Sequence, residues 1–218
     1  MHMYQFFKRV LDLLLAIAAF PFALILSVPV IIAVKAEDGG KIFYCGERLG
    51  YQMKMFRMYK FRSMKENAPD FRNRDGSTYN SEKDPRVTRI GSLLRRTSMD
   101  ELPQILNVIL GQMSWVGPRP SPLGNIERYD AEYRRKFSVR PGITGYNQVY
   151  YRNAISVDEK QKNDLYYVEH FSFWLDFKII MQTIASVFRR KNLYTNNAVP
   201  DQEVHVLTYE RKDKRRND

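Results

Sequence analysis

Leu13 to Val34 is a run of 22 residues that carries no charge. As a helix rising about 1.5 Å per residue, such a run matches a bilayer core of about 30 Å. A buried helix of a soluble protein rarely stays uncharged for so long, and the apolar core of a secretory signal, about 7–15 residues, is shorter. The run therefore predicts a membrane-inserted helix. Lys8 and Arg9 precede it, and Lys35, Glu37 and Asp38 follow it. Positive charge on both flanks favours the cytoplasmic side for both. Pro21 and Pro29 each remove a backbone N–H and clash with the preceding turn, so each can kink the helix. Two forms stay open: a kinked helix that spans, and a helix that bends at a proline and returns to the same face. The flanks favour the second.

The rest of the chain suits one domain with its own core, given 218 residues of which 44% are apolar. The net charge of +11 calls for a polyanionic partner: nucleic acid, anionic lipid or a phosphorylated substrate. No recognised nucleic-acid motif accompanies it. The single cysteine, Cys45, excludes an intramolecular disulfide framework and fits a reducing compartment. His2, His170 and His205 lie far apart, and no Cys/His spacing suggests zinc. The expected organisation is a membrane helix at 1–38, a cytoplasmic catalytic domain with interfacial helices at 39–199, and a polar, disordered tail at 200–218.

Within that domain, residues 39–64 read as strand and turn, with turns at Gly39-Gly40 and Gly50 and a β-prone run Lys41-Ile42-Phe43-Tyr44. Residues 65–86 read as a polar loop, and Ile90 to Arg96 as a short basic helix. Leu102, Ile105, Leu106, Ile109 and Leu110 recur at helical spacing, and Gly111 is placed to end that helix. Glu127 to Phe137 reads as a charged helix. Trp174, Phe177, Met181, Ile184 and Phe188 form a stripe read first as core, in a helix closed by Arg189, Arg190 and Lys191. Phe171, Phe173 and Trp174 also suit the headgroup level of a membrane. The fold class is α+β, mainly helical with a small β element, on a proline-broken membrane helix.

The segment richest in chemistry is Arg95-Arg96-Thr97-Ser98-Met99-Asp100-Glu101-Leu102-Pro103. Its bland reading is a capping box, with Ser98 as cap and Glu101 returning the bond. Pro103 fits better if Asp100 is the cap, because the proline then falls in the first turn, where its missing N–H has no helical partner. The helix dipole would then hold Asp100 ionised, ready to attack phosphorus as aspartate does in aspartyl-phosphate enzymes. Glu101 would help hold a divalent cation, and Arg95 would neutralise phosphate charge. Arg119, between Pro118 and Pro120 after Gly117, sits on a stiff loop suited to a phosphate.

Several motifs in order resemble the bacterial sugar transferases, the small monotopic phosphoglycosyl transferases. They are Lys8-Arg9-Val10-Leu11-Asp12, Tyr59-Lys60-Phe61-Arg62-Ser63-Met64 and Asp84-Pro85-Arg86-Val87-Thr88-Arg89-Ile90-Gly91. Ser98-Met99-Asp100-Glu101-Leu102-Pro103-Gln104, Gly117-Pro118-Arg119-Pro120, Arg140-Pro141-Gly142-Ile143-Thr144-Gly145 and Arg152-Asn153 follow. The resemblance implies a re-entrant helix with all soluble parts on the cytoplasmic face of the bacterial inner membrane, among phospholipids. It implies a catalytic pair at Asp100 and Glu101, magnesium near Glu101, and phosphate-binding arginines at Arg95, Arg119 and Arg152. It implies a nucleotide-binding loop at Gly117, Pro118 and Pro120, and places Arg9 and Asp12 at the membrane boundary. The implied reaction moves a sugar phosphate from a UDP-sugar to a polyprenyl phosphate with loss of UMP, through an aspartyl intermediate, and starts a glycan that downstream glycosyltransferases extend. Tyr150-Tyr151 stands where Asn-Gly is usual, and Tyr146-Asn147 where Trp-Ala is usual. The competing readings are a transferase of the sugar alone, which would release UDP, a membrane-tethered module that binds polyanions without catalysis, and a scaffold for glycan assembly.

Overall fold

The computed structural model describes residues 2–72, 79, 81, 83–151, 155–189 and 205–206. The protein is mainly helical with small sheets. Helix α1 spans His2–Asp38. Strands β1 (Phe43–Leu49) and β2 (Met55–Phe61) follow as an antiparallel hairpin, in which Tyr44 faces Lys60 and Leu49 faces Met55. β3 is Phe71–Arg72, α2 is Arg89–Thr97 and α3 is Gln104–Ile109. β4 (Ser114–Val116) pairs in parallel with β6 (Gly142–Thr144), and β5 (Ser121–Pro122) adds to the free edge of β1. α4 (Tyr146–Tyr150), α5 (Val157–Glu169) and α6 (Phe173–Arg189) complete the domain. Of the expected tail, His205–Val206 form β7 against β3; the rest lies outside the described residues.

α1 buries one stripe and exposes the rest. Lys8, Asp12, Ala16, Ala23, Val30 and Val34 are buried, at intervals of four and seven that return to one helix face. Ala16 and Ala23 pack with Ile105, Val108 and Met113, and with Phe56 and Met58 of β2. Val30 and Val34 pack with Phe61 and Leu94. Phe6, Phe22, Leu24, Ile25, Leu26 and Ile32 face outward. The expected break is not seen as an end: the helix runs on through Pro21 and Pro29. Each proline removes one hydrogen bond, while the stripe packs on both sides of each of them. The Ser27 hydroxyl also donates to the Ala23 carbonyl at 2.6 Å.

Two other expectations need correction. The stripe of Trp174, Phe177, Met181 and Ile184 is exposed, Trp174 by 75%; α6 buries Ile179 instead, against Tyr167, Val168, Val116 and Val139. Both sides of α6 are apolar, so periodicity alone does not say which one is covered. Glu127 to Phe137 is not one helix but parts of two 3-10 turns, Leu123–Arg128 and Tyr133–Ser138. Asp130 restarts the chain by accepting the Tyr133 N–H at 2.6 Å. Lys136 and Tyr133 then bind the buried Asp164, at 2.9 and 2.8 Å. Asp164 comes from α5, a helix not foreseen, opened by a capping box of Ser156 and Glu159.

Candidate active site

β2 carries the site, and two helices are fixed to it. α2 starts where the Thr88 hydroxyl accepts the Gly91 N–H at 2.9 Å. Gly91 lies so close to the end of β2 that a Cβ there would sit 2.0 Å from the Ser63 carbonyl oxygen. α2 then brings Arg95 Nε to the Ser63 hydroxyl at 2.9 Å. α3 is clipped to the same strand by Asn107, which is wholly buried. Its Oδ1 accepts the Tyr59 N–H at 3.0 Å, and its Nδ2 donates to the Arg57 carbonyl at 2.7 Å.

Between these helices lies the 3-10 turn Met99–Glu101. α2 ends at Ser98, a non-glycine residue with φ +58°, which swings the chain into the turn. The capping box is not formed: Ser98 makes no side-chain cap bond, and the Glu101 carboxylate goes to Lys60 instead. Asp100 does not cap α3 either. The residue before α3 is Pro103, already in helical conformation, because the 3-10 turn runs directly into the helix.

Lys60 Nζ donates to Glu101 Oε1 at 2.6 Å and lies 3.8 Å from Asp100 Oδ2. Arg119 Nη1 stands 3.8 Å from the same Glu101 oxygen, its side chain 60% exposed. Burial pushes the Asp100 carboxyl above its usual range, against the pull of Lys60, and the Glu101 charge pushes the same way. Burial acts on Glu101 too, but Lys60 and Arg119 outweigh it and hold its carboxyl low. The pair is thus divided: Glu101 keeps its charge, and Asp100 is the more basic carboxylate. Asp100 does not cap α3, and its carboxyl is raised rather than held low. Met99 packs among Val30, Val34, Phe61 and Leu94, and Leu102 packs against both clusters that α1 joins. The residues on either side of the pair are therefore seated against α1.

The Arg119 loop is held backbone to backbone. Gly117 N–H donates to the Thr144 carbonyl at 2.9 Å, and Gly142 N–H to the Pro118 carbonyl at 3.0 Å. A Cβ on Gly142 would stand 2.1 Å from Gly117 N, so only glycine permits this approach. Pro118 and Pro120 then stiffen the backbone on either side of Arg119, whose side chain stays exposed.

The sequence profile of the bacterial sugar transferases matches residues 3–190. The chain belongs to the bacterial sugar transferase family. It is 37% identical over 190 residues to the UDP-N-acetylgalactosamine-undecaprenyl-phosphate N-acetylgalactosaminephosphotransferase of Aeromonas hydrophila, covering 84% of this chain and 44% of that protein. It is 35% identical to the undecaprenyl-phosphate galactose phosphotransferase of Salmonella typhimurium, covering 87% and 42%. It is 38% identical to the exopolysaccharide production protein ExoY of Sinorhizobium fredii, covering 86% and 88%. The chain thus spans less than half the length of the first two relatives and most of the third.

The other residues expected at the site divide. Arg9 caps the end of α3, donating to the Val108 and Ile109 carbonyls at 2.7 and 3.1 Å. Asp12 accepts the Trp115 N–H at 3.2 Å. Both lock α1 to the domain away from the carboxylate pair. Arg152 and Asn153 lie outside the described residues. Lys60, Ser63 and Asn107 were not foreseen as site residues; no local spacing links Lys60 to a carboxylate 41 positions away. Among the described residues no group of three or more His, Cys, Asp or Glu side chains gathers for a metal. Two carboxylates that one ammonium already bridges nevertheless suit magnesium, which typically takes one or two carboxylates and fills its shell with phosphate oxygens and water.

Proposed function

We propose that this chain transfers a sugar phosphate from a UDP-sugar to undecaprenyl or another polyprenyl phosphate and so begins a cell-surface glycan. The observation that carries the reading is the turn holding Asp100 and Glu101 under Lys60 and Arg119, seated on an apolar helix. Family membership and the names of the relatives above agree with it.

An Asp100 carboxylate oxygen attacks the β-phosphorus of the donor; the bond to the bridging oxygen breaks, and UMP leaves. The acyl phosphate on Asp100 carries the sugar. A phosphate oxygen of the lipid then attacks the same phosphorus, and the Asp100 carboxylate is released. Arg119 and Arg95 neutralise charge on the phosphates, and the partly exposed Arg119 is free to turn toward them. Magnesium, held by Glu101 with Asp100, would supply a Lewis acid to the diphosphate. The burial that makes Asp100 basic also makes it the stronger nucleophile once ionised.

The same reading places the protein on the cytoplasmic face of the inner membrane with α1 re-entrant rather than spanning. Both ends of α1 bind one domain, which supports this. At one end Lys8 Nζ meets Asp176 Oδ2 at 2.6 Å, and Tyr4 and Tyr167 donate to the same carboxylate at 2.7 Å. At the other end Arg62 grips Asp38 in a fork, one arm at 2.7 Å, and holds that carboxyl down to about 2. The Ile90 N–H donates to Glu37 at 3.2 Å.

The test is intact-mass analysis of protein mixed with magnesium and a panel of UDP-sugars, with lipid left out. A gain equal to one phosphosugar, absent in Asp100→Asn, is expected. A gain that survives Asp100→Asn would move the nucleophile elsewhere.

A further inference from the structure

Lys60 Nζ is a cation set against both of the carboxylates that would hold a metal ion. It lies 2.6 Å from Glu101 Oε1 and 3.8 Å from Asp100 Oδ2. Its stem is fixed: Tyr59, one residue before, is held by Asn107, and Phe61, one residue after, is buried beside Val30 and Val34. The ammonium is itself nearly buried, its side chain 13% exposed, and Arg119 brings a second cation to within 3.8 Å of the same Glu101 oxygen. A divalent cation arriving alone would meet two positive charges around the oxygen it needs. The donor diphosphate changes that balance, because it brings oxygen ligands for the metal and a new anionic partner for Lys60.

We infer that Lys60 is a built-in counter-ion that keeps divalent metal off the carboxylate pair until a nucleotide diphosphate arrives. Metal and donor then enter together, and the Lys60 ammonium passes from Glu101 to a donor phosphate oxygen. This rests on the transferase reading above, and it makes Lys60 a positioning residue that orders binding.

The test is a Mn2+ titration of the full chain in detergent micelles, with unbound Mn2+ read by electron paramagnetic resonance and no nucleotide present. Lys60→Met and Lys60→Gln remove the ammonium; Lys60→Arg keeps a cation. The two neutral variants are expected to bind Mn2+ about tenfold more tightly than the parent or more, the order expected when a unit charge 2.6 and 3.8 Å from the ligand oxygens is removed. Lys60→Arg is expected to stay as weak as the parent. Should Lys60→Met fail to fold, Lys60→Gln against Lys60→Arg makes the same comparison. Adding Glu101→Gln to a neutral variant is expected to abolish the gain. Affinity in both neutral variants no tighter than in the parent overturns the inference, as does a gain that persists without the Glu101 carboxylate. Loss of the phosphosugar adduct in Asp100→Asn is a separate readout, so either idea can fail without the other.

Discussion

Asp100 carries two opposed consequences of one environment. Its folded-state pKa is raised, chiefly by burial. A raised carboxyl pKa means the folded protein holds that proton more tightly than the unfolded chain does. The contribution to stability is thus fullest at low pH and is lost as pH rises through the folded-state pKa. Asp100→Asn, which stays neutral, is therefore expected to melt no lower than the parent at neutral pH while losing transfer activity. A clear fall in its melting temperature would contradict the sign of the shift. The acid limb of kcat/KM should also lie above the ordinary aspartate range of about 4, because only the ionised group attacks. Ser98 and Thr88 separate a real cap from an apparent one. Thr88→Ala should lower stability by about 1 kcal/mol, since its hydroxyl binds Gly91 N–H. Ser98→Gly should cost nothing or stabilise slightly, because φ +58° suits glycine and no side-chain bond is lost. A loss of similar size for both in denaturant melts would restore the capping-box reading.

At the scale of elements, the site depends on β2 being the common support of α2 and α3. Asn107→Ala would leave the Tyr59 N–H and the Arg57 carbonyl without their partner and is expected to cost roughly 2–4 kcal/mol in chemical unfolding. Gly142→Ala must push the Gly117 loop away and with it Arg119, so it should raise the KM for donor more than it lowers kcat. An unchanged KM would detach the loop from donor binding. Much of this scaffold was legible in the sequence. The β-prone run around Phe43, the basic helix before Thr97, the apolar helix stopped by Gly111 and the stiff loop around Arg119 all depend on local chemistry, and local chemistry is what a sequence displays. The Asp100-Glu101 pair was legible as a pair, but its environment was not. Lys60 reaches it only through the pairing of β2 with the helices, a contact that no periodicity encodes. The buried side of α6 and the 3-10 turns after Leu123 were hidden for the same reason: each is decided by a partner distant in sequence.

At the scale of the whole molecule, α1 and α6 leave broad apolar surfaces outward, with Phe22, Ile25, Trp174 and Phe177 among them. Larger exposed apolar patches of this kind mark membrane or partner contact. Both ends of α1 are tied to one domain, so the re-entrant reading predicts a single sidedness. Cys45, the one cysteine of the sequence, is exposed and serves as a reference label for the domain. A membrane-impermeant maleimide should reach Met3→Cys and Cys45 from the same face of inverted vesicles. Labelling from opposite faces would mean that α1 spans. Phosphosugar transfer through Asp100 leaves its mark in the nucleotide that is released. Detergent-solubilised protein, polyprenyl phosphate, magnesium and a panel of UDP-sugars would be combined and the nucleotide product identified. Repeated turnover to UMP that requires both the lipid and Asp100, against at most one equivalent of UMP per protein without lipid, is the predicted result. Release of UDP, or of UMP by Asp100→Asn at the parental rate, would contradict it.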